Sequence, residues 1–185
     1  NQGCIDRLLA EGEHASCIYN ARAGRETHYP MVEAETKKKV VVIGGGPAGM
    51  EAARVAALRG HTVSLFEQSE RLGGQGILAS ATPHKGEFAE LVRYLSHEMG
   101  RLSIDVHLKT CASADTVKGL QPDEVILATG ALPAVPDIPG VDGPKVVQAW
   151  DVISKKTKPK GKVAVIGGGL VGCETAELLA ENGCQ

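Results

Sequence analysis

The sequence predicts a three-layer α/β fold, a Rossmann-like module in which helices flank a parallel sheet. Three observations predict it. Val40 to Gly49 reads VVVIGGGPAG, an apolar run closed by a G-x-G-x-x-G pattern. The pattern returns from Val163 to Gly172 as VAVIGGGLVG. The 185-residue chain is 43% hydrophobic with 23 glycines and only 3% aromatic, so its core must come from Val, Ile, Leu and Ala. One such glycine pattern is a weak signal. Two, each directly after a short apolar run, predict two dinucleotide-binding βα units in one chain.

Lys37, Lys38 and Lys39 make a solvated start. Val40 to Ile43 is continuously apolar, as expected of a central parallel strand buried on both faces. Gly44 permits the tight bend, Gly46 lets the backbone approach a pyrophosphate, and Gly49 allows the helix to pack closely on the strand. Pro47 fits the first helical turn, where its missing N–H costs nothing. Met50 to Leu58 continues as an Ala-rich helix, ended by Arg59 and Gly60. A pyrophosphate is expected at that helix N-terminus, held by N–H groups and the helix dipole. Thr62 to Phe66 reads as the second strand. It leads into Glu67, 18 residues after Gly49, where a carboxylate accepts hydrogen bonds from the ribose hydroxyls. A carboxylate there repels a 2′-phosphate, so FAD, ADP or NAD is expected rather than NADP. Gly73 and Gly74 let the next loop pass close to a ligand. Glu87 to Met99 sets Phe88, Leu91, Val92 and Leu95 at helical spacing, facing the core. Ser103 to Leu108 alternates like a strand, and Ala114 to Leu120 is a short helix or turn. Glu124 to Leu127 is another apolar strand, leading into Ala128, Thr129 and Gly130. There Thr129 can satisfy strand-end backbone groups and Gly130 lets the chain run against a nucleotide.

Pro133, Pro136, Pro139 and Pro144, with Gly140 and Gly143, mark an extended connector. Val146 to Ile153 is expected to form a short strand and helical turn, with Trp150 packing. The lysine-rich stretch 155–162 reads as a solvated loop. Lys162 to Ile166 is expected as a strand, Gly167, Gly169 and Gly172 repeat the triad, and a helix runs from Glu174 to near Asn182. The residue that selects NAD or NADP lies beyond Gln185. The chain opens on Asn1 and the second unit stops after its first helix, so the sequence reads as a piece of a larger enzyme. That unit is expected to pack on the first as an extra βα layer or to fray.

A net charge of −2 gives no electrostatic basis for nucleic acid or an anionic membrane as partner. No apolar run approaches the ~20 residues of a membrane span, and no signal-peptide pattern opens the chain. Five irregularly spaced cysteines argue against a disulfide framework and for a reducing, cytoplasmic setting. Cys111, Cys173 and Cys184 read as structural. His61, His84, His97 and His107 are scattered and read as surface residues. No residue is assigned as a catalytic acid, base or nucleophile.

Cys4 and Cys17, with twelve residues between them, precede Asn20-Ala-Arg-Ala-Gly-Arg-Glu26 and then the lysine-rich start of the first strand. This order resembles the C-terminal region of the iron–sulfur old-yellow-enzyme family, the 2,4-dienoyl-CoA reductase or NADH:flavin oxidoreductase group related to trimethylamine dehydrogenase. Glu67 with Arg71-Leu-Gly-Gly-Gln75, and Asp123 to Gly130, extend the resemblance over nearly the whole chain. Ala21 departs from it, standing where the family usually has Pro. The resemblance implies that Cys4 and Cys17 are the last two ligands of a 4Fe-4S cluster whose other two cysteines lie upstream, and that Asn1 follows the second of those. It puts Ala48 at the pyrophosphate, Glu67 at the ribose, Gly74, Gln75 and Lys85 along the flavin nucleotide, and the Ala112 backbone at the adenine. It divides the chain into a cluster segment and linker (1–36), an FAD- or ADP-binding unit (37–145), and a connector with the first βα of an NAD(P)-binding unit (146–185). It implies an N-terminal FMN barrel in the same full-length chain. Electrons would run from NAD(P)H through FAD and the cluster to FMN and an activated C=C bond. The fragment alone is expected to be inactive, with Cys4 and Cys17 in a disordered N-terminal arm. An amine-dehydrogenase-type member, binding ADP here as a structural ligand, stays open. So does another two-dinucleotide flavoprotein with an iron–sulfur segment, such as the small subunit of glutamate synthase. Gln75 fits the reductase branch.

Overall fold

The structure is a computed structural model that describes residues 3–9, 12 and 16–185, without the side chains of residues 3, 4 and 6. Four strands, β1 (Lys39–Ile43), β2 (Thr62–Phe66), β3 (Asp105–His107) and β4 (Glu124–Leu127), form one parallel sheet in the order β3-β2-β1-β4. The helices are α1 (Gly3–Leu9), α2 (Pro47–Leu58), α3 (Gln75–Ser80), α4 (Glu87–Arg101), α5 (Ala114–Gly119), α6 (Ala149–Ile153) and α7 (Leu170–Glu181). The predicted α/β class, the parallel sheet and the four strands of the first unit are all present.

β1 is apolar throughout its interior because it is central. β2 pairs with it on one edge and β4 on the other, with Val40 opposite Val63, Val42 opposite Leu65, and Val41 opposite Val125. One face of the sheet, carrying Val40, Val42, Val63 and Leu65, packs against Met50, Ala53 and Ala56 of α2 and Leu95 and Met99 of α4. Small side chains at Ala53 and Ala56 let α2 lie close to the strands. Burying a Val, Leu or Met of this core stabilises the fold by about 1.5–3 kcal/mol relative to exposure. α4 also buries Glu98, whose carboxylate is gripped by Arg101 through two hydrogen bonds of 2.6 and 2.8 Å.

Several sequence expectations need correction. Residues 162–166 are not a strand. Val163 N–H donates to Gln185 C=O at 2.8 Å and Gln185 N–H donates to Gly161 C=O at 2.9 Å. That is one rung, with no flanking strand among the described residues to extend it into a ladder. Residues 146–148 are likewise not a strand, and only α6 forms there. The described part of the N-terminal arm contains a helix, α1, rather than a disordered run. Cys111 and Cys173 are exposed, so they are not packing residues of the core. His61 and His107 are half-buried, and His107 stacks on Phe66 at 4.5 Å between ring centroids. α3 is a helix where the sequence shows only a glycine loop. The second unit neither frays nor forms a full layer: α7 packs on α6 and buries Thr175 and Leu179. No helix among the described residues is long and apolar enough to cross a membrane.

Candidate functional site

The site lies at the C-terminal ends of β1, β2 and β4, where ligands bind in open parallel sheets. β1 runs straight into Gly44, whose N–H donates to Phe66 C=O at 2.8 Å. Gly44 has φ +110°, and a Cβ there would sit 2.2 Å from Ala128 O. No other residue fits that bend. A Cβ on Gly49 would sit 1.8 Å from Gly44 O, so the first turn of α2 can reach the strand end only as glycine. Gly46, the N-cap of α2, has no side-chain cap, and nothing lies within 4 Å of where its Cβ would be. Ala48, in that same turn, is exposed. The helix therefore presents unpaired N–H groups and its positive end to open space, which is an anion-binding arrangement.

Glu67 closes one side. It is only 7% exposed. One carboxylate oxygen accepts from Gly45 N–H and the other from Ser69 N–H, both at 2.7 Å. Burial works against its charge, but the hydrogen bonds from Ser69, Gly45 and Gln68 outweigh it and hold the pKa below the ordinary value. A ligand hydroxyl reaching this carboxylate would share or replace one of these donors. The Glu67 backbone also ties down the strand that follows. Its N–H donates to His107 C=O and its C=O accepts from Thr110 N–H, both at 2.9 Å. Ala112 follows two residues on and is half-buried.

The loop before α3 lies over the glycine turn. Gly73 N–H donates to Gly45 C=O at 2.8 Å, and a Cβ on Gly74 would fall 3.0 Å from Gly46 Cα. Gln75 Nε2 donates to Ala131 C=O at 3.0 Å and borders Gly130, whose φ is +74°. Gly44, Gly46, Gly49, Glu67, Gly74, Gln75 and Gly130 thus converge, with exposed Thr129 immediately before Gly130.

Other predicted residues lie elsewhere. Lys85 reaches α7 and pairs with Glu174. Gly167, Gly169 and Gly172 form a second turn of the same shape, but nothing lies within 4 Å of a Cβ built on Gly167. Cys17 is a half-buried free thiol, and Asn1 and the Cys4 side chain lie outside the described residues. Among the described residues, His84, Glu177 and Glu181 bring ligand-type atoms within 4.8 Å of one another, all exposed and with no cysteine among them. Sequence reading missed that Glu67 also binds Gly45 and Ser69. The Glu-x-Ser spacing is the local signal for the second contact. No pattern flags the pairing of Glu174 with Thr82 and Lys85.

A family model described as pyridine nucleotide-disulphide oxidoreductase matches residues 38–185. The bilirubin reductase of Mediterraneibacter gnavus is 49% identical over 185 residues, covering 100% of this chain and 29% of that protein. The multifunctional alkene reductase/demethylase OYE of Caballeronia cordobensis is 34% identical, covering 97% of this chain and 26% of that protein. The solved structure of a 2-naphthoyl-CoA reductase with 2-naphthoyl-CoA superposes with a TM-score of 0.93 at 39% identity, covering 99% of this chain and 28% of that one. The chain spans under a third of the length of each of these relatives. These matches agree with the resemblance to the C-terminal region of the iron–sulfur old-yellow-enzyme family. With the matched region running from the first strand to the last residue, the chain belongs to the pyridine nucleotide-disulphide oxidoreductase family.

Proposed function

We propose that this chain is the FAD-binding part of a flavin-dependent NAD(P)H oxidoreductase of the enoate or alkene reductase type, which reduces an activated C=C bond. One observation carries the reading: an uncapped helix N-terminus behind Gly46 lies beside the buried, ionised Glu67. The α2 N–H groups hold the pyrophosphate, with Gly44, Gly46, Ala48 and Gly49 supplying the close approach. Glu67 accepts from the ribose hydroxyls and excludes a 2′-phosphate. The Ala112 backbone borders the adenine. Gly74, Gln75, Thr129 and Gly130 line the path toward the flavin ring, whereas Lys85, paired with Glu174, lies off it. When bound, the flavin supplies the hydride and electron chemistry, and the chain's own residues bind and orient it. Gly167, Gly169 and Gly172 begin the NAD(P) site. Cys4 and Cys17 are the last two thiolates of a 4Fe-4S cluster, a site that needs four. An FMN barrel in the same full-length chain receives the electrons in the cytoplasm, and the fragment alone has no turnover.

A second reading follows from the site itself. The ribose end is built from the buried Glu67 and its backbone partners, whereas Gln75, Thr129 and Gly130 are exposed. An ADP-binding scaffold of the amine-dehydrogenase type needs only the first of these. Calorimetric titration with FAD and with ADP separates the two. FAD binding clearly tighter than ADP supports the flavin reading, whereas equal affinities contradict it and favour the scaffold.

A further inference from the structure

The stretch from Gly73 to Lys85 touches three things in turn. Gly73 and Gly74 lie on the first glycine turn, through the bond to Gly45 and the close approach to Gly46. Gln75 holds the loop after β4 through Ala131. Beyond α3, the Thr82 hydroxyl lies 2.9 Å from Ala79 C=O and 3.2 Å from Glu174 Oε2 and shares its one proton between these two acceptors, while Lys85 pairs with Glu174 Oε1. Glu174 sits on α7, the helix that the second glycine turn opens. Thr82 is buried and the Glu174 side chain is only 18% exposed, so the Thr82–Glu174 contact is shielded from solvent, while the Lys85 side chain, 36% exposed, leaves the ion pair partly open to water. His84 Nε2 approaches Glu177 one turn further on at 3.6 Å, on the same side of α7.

We propose that Glu174 is a positioning residue, and that residues 73–85 form a bridge coupling occupancy of the first nucleotide turn to the placement of the second. The reasoning is mechanical. A ligand at Gly46 presses on the backbone that Gly74 covers, and α3 is a single short helix between that contact and Thr82. Its far end, the turn at residues 81–86, holds both oxygens of one carboxylate, so movement of the bridge is passed to α7. Coupling of this kind is a free-energy link between two sites, and it acts in both directions.

This inference rests on the first unit binding a nucleotide. The test is hydrogen–deuterium exchange of the chain with and without ADP, for the native sequence, Glu174→Ala, Glu174→Gln and the control Glu181→Gln. In the native chain ADP should slow exchange both at residues 44–50 and in α7, the latter by about fivefold or more, the lower end of usual coupling strengths. Glu174→Ala should keep the slowing at 44–50 and lose it in α7. Glu174→Gln keeps an acceptor for Thr82 and should retain part of it, and Glu181→Gln should behave as native. ADP slowing exchange at 44–50 with α7 unchanged in the native chain would overturn the coupling alone. No slowing at 44–50 would overturn the nucleotide reading, and the coupling with it.

Discussion

Gly44 and Gly167 share a backbone conformation, with φ +110° and +109°. The likeness continues residue by residue. Gly46 and Gly169 cap their helices at φ −74°, ψ 178° and φ −76°, ψ −179°. A Cβ on Gly49 would strike Gly44 O at 1.8 Å, and one on Gly172 would strike Gly167 O at 1.9 Å. Gly60 and Gly183 close the helices at φ +85° and +83°. Thr62 N–H donates to Lys38 C=O as Gln185 N–H donates to Gly161 C=O, both at 2.9 Å. What differs is the surroundings. Val42 is fully buried between two strands, while its counterpart Val165 is 38% exposed. The local sequence thus sets the turn and helix by itself, whereas a strand and a closed site require neighbours.

The largest expected contrast is between Gly44→Ala and Gly167→Ala. Both substitutions strain a left-handed backbone, at about 1–3 kcal/mol. Gly44→Ala also drives a methyl into Ala128 O, 2.2 Å away, whereas Gly167→Ala meets nothing within 4 Å. Urea unfolding should show a loss above about 4 kcal/mol for the first and only the strain for the second. Equal losses would break the comparison.

Glu67→Ala comes next. It leaves the N–H groups of Gly45 and Ser69 without their acceptor, at about 1–3 kcal/mol for each if water cannot replace it. Because the folded pKa of Glu67 is depressed, its contribution to stability is fully present above the ordinary carboxylate value of 4.5 and is lost as pH falls through the folded value. Stability measured from neutral to acid pH should therefore fall less steeply in Glu67→Gln than in the native chain. An unchanged slope would remove Glu67 from the account. The second turn has no such carboxylate among the described residues near it, so Gly168 changes should leave the profile alone.

The smallest contrast is Val42→Ala against Val165→Ala. The first deletes two methyls from a packed core and should cost about 2 kcal/mol, while the second should stay within about 0.5 kcal/mol. Denaturation midpoints at constant slope report both.

These contrasts also explain what was legible in the sequence. The first sheet could be read because Val40 to Ile43 and Thr62 to Phe66 carry apolar patterns that their neighbours then use. Val163 to Ile166 carries the same pattern but forms no strand among the described residues, because a ladder is a property of pairs. Glu67 could be found from spacing and chain order. Its bonds to Gly45 and Ser69 depend on how the turn folds back, 22 residues away along the chain for Gly45. The Thr82–Glu174 contact spans 92 residues and leaves no periodic trace. The half-buried stack of His107 on Phe66 was hidden for the same reason, since strand order decides it.

The most direct test is the stoichiometry of ADP binding to this chain by titration calorimetry, repeated with Glu67→Ala and with Gly169→Val. The account predicts one equivalent, weakened about tenfold or more by Glu67→Ala, as loss of hydrogen bonds to a charged group implies, and unaffected by Gly169→Val. Two equivalents, or one that survives Glu67→Ala and disappears with Gly169→Val, would contradict it.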